Sequence, residues 1–157
     1  MKNKLITTIG VVVALGASAT QIFADDEAAV REANAGFYEA LNAMFTGDLE
    51  PMKEVWSHSD TVTYMGPDGG FQVGWPAVLA DWEKQAAMKL GGTVQPDEVV
   101  ITLGSDLAIA HNYEKGQNLD EEGKVVEVSI RATNIFRNES GVWKMVGHHT
   151  DTLSFIK

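Results

Sequence analysis

Residues 125–149 read VVEVSIRATNIFRNESGVWKMVGHH, two β-branched, aromatic-rich runs separated by Asn138-Glu139-Ser140-Gly141. In the first run Val126, Val128, Ile130, Ala132, Asn134 and Phe136 alternate with Glu127, Ser129, Arg131, Thr133 and Arg137. That period of two makes a strand with one buried face and one polar face. The Asn-Gly-containing break is a turn, so the second run, Val142 to Phe155, returns beside the first as its antiparallel neighbour.

Working outward, two more long strands precede this pair, Val94 to Leu103 and Leu107 to Asn118. Gly104-Ser105-Asp106 and the segment from Asp120 to Gly123 are the turns. Sequential strands with short connections form an antiparallel meander. Ahead of it, Thr61 to Met65 and Phe71 to Val73 flank Gly66-Pro67-Asp68-Gly69-Gly70 and read as a short hairpin.

The remaining segments are helical. From Asp26 to about Thr46, the residues Val30, Ala33, Phe37, Leu41, Met44 and Phe45 recur at three- and four-residue steps, until Gly47 stops the run. Asp48 opens a shorter helix that carries Met52, Val55 and Trp56, with Pro51 in its first turn. Trp75-Pro76 opens a third, through Val78, Leu79, Trp82 and Ala86 to Gly91-Gly92. Three helices followed mainly by strands make an α+β domain with a sheet of about six strands.

Composition narrows the function classes. The net charge of −10 argues against nucleic acid, which needs a basic face to displace counterions. There is no cysteine, so thiol nucleophiles, thiolate metal sites and disulfides are excluded. Residues 1–24 have the pattern of an export signal: Lys2 and Lys4, an apolar stretch from Leu5 to Ala17, and Ala24 at the cleavage point. The apolar run is shorter than a bilayer span and is broken by Thr7, Thr8 and Gly10. The expectation is a periplasmic or secreted domain of residues 25–157, without membrane contact after cleavage.

Several local stretches carry a resemblance. Val55-Trp56-Ser57-His58 before Val62-Thr63-Tyr64-Met65-Gly66-Pro67, Val73-Gly74-Trp75, Arg131 to Arg137, and Gly141 to Val146 with His148-His149 resemble the SnoaL-like, ketosteroid-isomerase-related branch of the nuclear transport factor 2-like superfamily. The likeness covers nearly all of residues 25–157. It implies a cystatin-like cone, in which a strongly curved sheet and the helices enclose a cavity for a small apolar or carbonyl-bearing molecule. It also implies a homodimer through the polar sheet face. Members of the superfamily include isomerases and dehydratases as well as non-catalytic association domains, so the fold alone does not choose the chemistry.

Candidate residues follow from residue type and from that cone. His58 can exchange a proton near neutral pH, and Tyr64 can donate to a developing oxyanion. On the last strand His149 and Asp151 share the side of Trp143 and Met145 if the strand is regular, and the carboxylate would orient the imidazole as a base. A bulge would instead turn His148 inward. Tyr38, Trp56, Trp75, Asn134 and Phe136 are the expected ligand wall, Asn134 being the polar exception on an apolar face. The expected chemistry is lyase or isomerase proton transfer by these His and Tyr groups. The alternative is a docking module with no active site. No cofactor is expected. No metal is expected either, because adjacent histidines on a strand point in opposite directions.

Overall fold

The computed structural model describes residues 16–120 and 122–151. Three helices, α1 (Gly16–Met44), α2 (Glu50–Val55) and α3 (Trp75–Met88), pack on one face of a sheet. The strands are β1 (Thr63–Met65), β2 (Gln72–Val73), β3 (Thr93–Leu103), β4 (Leu107–Leu119), β5 (Val125–Glu139) and β6 (Val142–Asp151), in the spatial order β2-β1-β6-β5-β4-β3. All neighbours are antiparallel except β1 and β6, which run parallel with Tyr64 opposite His148. The expected three-helix, six-strand α+β domain is therefore present.

One difference from the expected elements has a local cause. Helix α1 begins at Gly16 rather than Asp26, because the run through Ala17 to Ala24 contains no proline or further glycine to interrupt it. The first fifteen residues of the expected export segment, and residues 152–155 of the expected last strand, lie outside the described residues. Among the described residues no helix is long and apolar enough to cross a membrane.

The core lies between α1, α3 and the concave sheet face, with Val30, Phe37, Leu41, Met44, Trp56, Trp82, Phe136 and Met145 all buried. The sheet bends at two irregularities. In β3, the register shifts between Asp97 and Val100, and Glu98 adopts a positive φ of 56°. Near the far end of β4, Gly116 approaches β3 so closely that an added Cβ would stand 2.0 Å from the Thr93 carbonyl oxygen. Only glycine allows that approach, which folds β3 over the end of α1.

The third irregularity decides the site. Ile135 pairs with Gly147, but Phe136 pairs with Met145, leaving Val146 without an opposite residue. Up to Met145 the odd-numbered residues of β6 face the core. Beyond the bulge, His148 and Thr150 are buried, and His149 is exposed. One extra residue has inverted the face of the described side chains that follow it, through Asp151.

Candidate active site

A cavity of about 420 Å³ opens between α1, α3 and the concave face of β4, β5 and β6. Leu41 and Phe45 from α1, Trp82 from α3, Val94 from β3 and Ile130 from β5 supply apolar wall. Glu114 from β4, His148 and Thr150 from β6, Tyr64 from β1 and Gln85 from α3 supply polar groups, together with Asn118 from β4 and Glu127 and Ser129 from β5.

Behind this wall runs a buried hydrogen-bonded network. Asn112 donates to the Tyr38 hydroxyl oxygen at 2.8 Å, and Tyr38 in turn donates to Glu114 Oε1 at 3.0 Å. Asn134 Nδ2 donates to Asn34 Oδ1 at 2.8 Å and lies 3.3 Å from the Tyr38 oxygen. With its nitrogen so used, Asn134 offers His148 only its carbonyl oxygen, 2.5 Å from Nδ1. His148 must therefore carry its proton on Nδ1, leaving the Nε2 lone pair free. Nε2 stands 3.6 Å from Glu114 Oε1.

The electrostatics of this pair follow from burial. The Glu114 carboxyl is pushed up to about 7, because desolvation of the carboxylate outweighs the hydrogen bond from Tyr38. Burial pushes the His148 imidazole down to about 3, with repulsion from His149 adding to it. Attraction between Nε2 and Oε1 opposes both shifts. Burying two charges costs more than one contact at 3.6 Å and a single supporting hydrogen bond return, so the pair is held neutral, acid beside base. Burial also raises the Tyr38 hydroxyl, seconded by Glu114, and raises the Tyr64 hydroxyl against the lowering influence of Gln85. Both phenols thus remain donors. Tyr64 accepts from Gln85 at 2.9 Å and stacks nearly parallel to His148, with ring centroids 5.8 Å apart.

The structure places the remaining sequence-derived candidates elsewhere. His149 and Asp151 lie on the convex face, where Asp151 accepts two hydrogen bonds from Arg131 at 3.1 and 2.7 Å. The bulge at Val146 is the reason, and His148 takes the inward place expected of His149. His58 is exposed, stacked on Trp75 with ring centroids 4.4 Å apart, and its Nε2 donates to the Lys53 carbonyl oxygen at 2.9 Å. It caps the end of α2, because the chain turns outward there. Trp56 and Phe136 are buried core, and Trp75 packs between Trp56 and His58. Tyr38 and Asn134 stand behind the cavity wall and hold Glu114 and His148 in place. Tyr64 is the sequence-derived candidate that lines the cavity.

Glu114, Gln85 and Thr150 escaped the sequence reading. A signal for Glu114 existed: it continues the face of Ala108, Ala110 and Asn112 on β4, so it is a polar exception of the same kind as Asn134.

On the convex side, a second groove of about 340 Å³ is lined by Val100, His111, Tyr113, Arg131, His149 and Asp151 among others. It is separated from the cavity by the thickness of the sheet.

Comparison with known proteins gives a consistent frame. Residues 30–153 match the family model described as the SnoaL-like domain. A candidate dehydratase of the nuclear transport factor 2-like family from Streptomyces avermitilis is 24% identical, with a TM-score of 0.72 over 83% of this chain and 98% of that one. A nuclear transport factor 2-like protein with a cystatin-like fold from Novosphingobium aromaticivorans is 19% identical, with a TM-score of 0.72 over 92% and 93%. A candidate calcium/calmodulin-dependent protein kinase type II association domain from Thiobacillus denitrificans is 29% identical, with a TM-score of 0.66 over 78% and 93%. No curated protein matches the chain significantly.

Proposed function

The chain belongs to the SnoaL-like family of the nuclear transport factor 2-like superfamily, and from that membership and its buried acid–base pair we propose that it is a cofactor-independent lyase or isomerase. The substrate is a small neutral molecule whose reacting carbon lies beside a carbonyl. The observation that carries this reading is the approach of His148 Nε2 to Glu114 Oε1, 3.6 Å apart on the wall of an otherwise largely apolar cavity.

Each group has a role set by its protonation state. His148 Nε2 takes the proton from the carbon next to the carbonyl, and the Tyr64 hydroxyl donates to the enolate oxygen as charge develops there. In an elimination, Glu114 passes its proton to the departing hydroxyl, which leaves as water. The imidazolium Nε2–H then returns its proton to the Glu114 carboxylate, and the neutral pair is restored. In an isomerisation the proton returns to a different carbon and Glu114 keeps its own. The candidate dehydratase among the structural relatives agrees with the first form.

The test is solvent-deuterium uptake beside the carbonyl of 2-tetralone, and enone formation from β-hydroxy ketones, in the parent and in His148→Gln. A loss of about 10²- to 10⁴-fold in the variant is the expected result. Equal rates in both proteins would remove His148 as the base, and absence of any uptake or elimination by the parent would remove the reaction class.

Two further features belong to this proposal. The convex face exposes Val100, Leu107 and Tyr113, which supports a homodimer formed through that face. The relative described as an association domain is the reason to keep docking as a second use of it. Residues 1–24 act as an export signal, which puts the domain in the periplasm or medium. Ala24 and Asp25 are exposed, and the first buried side chain among those described on α1 is Val30, so cleavage after Ala24 would leave the packed face intact. Intact mass of the exported protein and its sedimentation check both expectations. A retained leader contradicts the first, and a monomer at high concentration contradicts the second.

A further inference from the structure

Among the described residues the Tyr64 hydroxyl is hydrogen-bonded by Gln85 alone, whose Nε2 lies 2.9 Å away. The same Nε2 lies 2.9 Å from Asp81 Oδ2, one turn earlier on α3. Residues four apart are neighbours on a helix surface. Here they share the half-buried flank of α3: Val78, Trp82 and Ala86 enter the core, Glu83, Lys84 and Ala87 face solvent, and Asp81 and Gln85 lie between. Gly66 crowds the phenol oxygen from another side, so closely that a Cβ there would stand 2.5 Å from it.

The two ends of a glutamine amide have nearly the same shape, and a phenol either donates or accepts, so the Gln85–Tyr64 contact has two possible directions. Asp81 removes one of them. A carboxylate only accepts, and turning the amide over would set Gln85 Oε1 against Asp81 Oδ2, two acceptors at hydrogen-bond distance. Nε2 is therefore held between Asp81 and Tyr64, giving one hydrogen to each, and Tyr64 keeps its own proton unspent. With the amide reversed, Oε1 would take that proton.

We infer that Asp81 is a positioning residue: through Gln85 it sets the direction of the hydrogen bond at Tyr64, so that the phenol proton is kept for the substrate oxygen. This rests on the reading of Tyr64 as donor to the enolate and adds what holds that donor in its working state. The carboxylate acts by geometry and against its own charge. Its negative charge makes the phenol a weaker acid, whereas the hydrogen bond from Gln85 makes it a stronger one. Loss of the charge alone would speed the reaction, and loss of the orientation slows it.

Two measurements test this, and the first needs no turnover. In protein carrying isotope-labelled glutamine, with the Gln85 signal identified by its absence from Gln85→Leu, the Nε2 hydrogens should show nuclear Overhauser contacts to the Tyr64 ring. These should persist in Asp81→Glu, which keeps the carboxylate, and weaken or vanish in Asp81→Leu. Contacts of undiminished strength in Asp81→Leu, or none in the parent, overturn the inference whatever the reaction proves to be. The second measurement follows deuterium uptake by 2-tetralone. Asp81→Leu should lower kcat about tenfold, the worth of a hydrogen bond to a charged group, with KM little changed, and Asp81→Glu should restore most of the rate. In a Tyr64→Phe background Asp81→Leu should lower kcat no further, because no phenol proton is left to direct. An unchanged or faster Asp81→Leu, or an equal loss in the Tyr64→Phe background, as damage to the fold would give, overturns the inference and leaves the proton-transfer reading standing. A parent that exchanges no deuterium overturns that reading and with it the role given to Asp81, even where the amide contacts are as expected.

Discussion

In Glu114→Gln, turnover in the elimination should fall by about 10²- to 10⁴-fold, the usual worth of a positioned acid, while the protein becomes more stable than its parent above neutral pH. Both effects have one cause. The folded Glu114 carboxyl titrates at about 7 against an ordinary 4.5, so between those pH values the native state holds a proton that the unfolded chain has released. Stability contributed by the protonated group is therefore lost as pH rises through that window, by roughly 3 kcal/mol in total, at about 1.4 kcal/mol for each pH unit crossed. His148 acts in the other direction. Its native state refuses a proton that the unfolded chain accepts below 6.5, so stability is lost as pH falls from 6.5 toward 3. The two slopes oppose each other between 4.5 and 6.5, and the parent should be nearly flat there before declining towards 7. Glutamine removes the first slope only. Urea unfolding across pH should show the variant climbing to about 6.5 and then holding level. A variant that declines above 6.5 as the parent does would show that Glu114 is not the group that titrates.

Phe37→Ala should cost about 3–5 kcal/mol, a large part of the stability of a domain this size. Phe37 is 0% exposed and meets three rings: Tyr38 at 5.1 Å, Trp82 at 6.4 Å and His148 at 4.7 Å between centroids. Truncation would open a void against the face of the His148 imidazole, and neighbouring rings fixed by the network to Asn34, Asn112 and Asn134 cannot close it cheaply. Phe37→Leu refills most of the volume and should cost less than about 1.5 kcal/mol. The urea midpoint should drop with an unchanged m-value, and turnover should drop with it, because the imidazole loses its nearest ring contact and keeps only the Nδ1 hydrogen bond and the more distant Tyr64 and Trp82 rings. A loss under about 1 kcal/mol in the alanine variant would contradict the packing described.

The elements were legible because each rests on a local pattern. The alternation of Val126 to Phe136 appears in the structure as a buried face opposite an exposed one, weakening only at the exposed Val126 end. The glycine pair at Gly91-Gly92 does mark the end of α3, although the left-handed residue at the cap itself is Lys89, with a φ of 49°. The reactive set was less legible. Asn134 stands out as a polar residue on an apolar face, and Tyr38 and Tyr64 as aromatic groups near the cavity, whereas the sequence signal for Glu114 is weak because an acidic residue in a strand ordinarily faces solvent.

Side-chain periodicity, turn chemistry and composition are properties of neighbouring residues, and from them the sequence alone determined the three helices, the hairpin, the four long strands and the polar exception at Asn134. Tertiary structure alone decided that His148 rather than His149 faces the cavity, and that Glu114 meets it. The face of a residue beyond a bulge depends on how β6 is divided between pairing with β5 and with β1, and a carboxyl near neutrality depends on the burial that α1 and the curved sheet create together. Both are set by residues far apart in the chain, where no local pattern reaches.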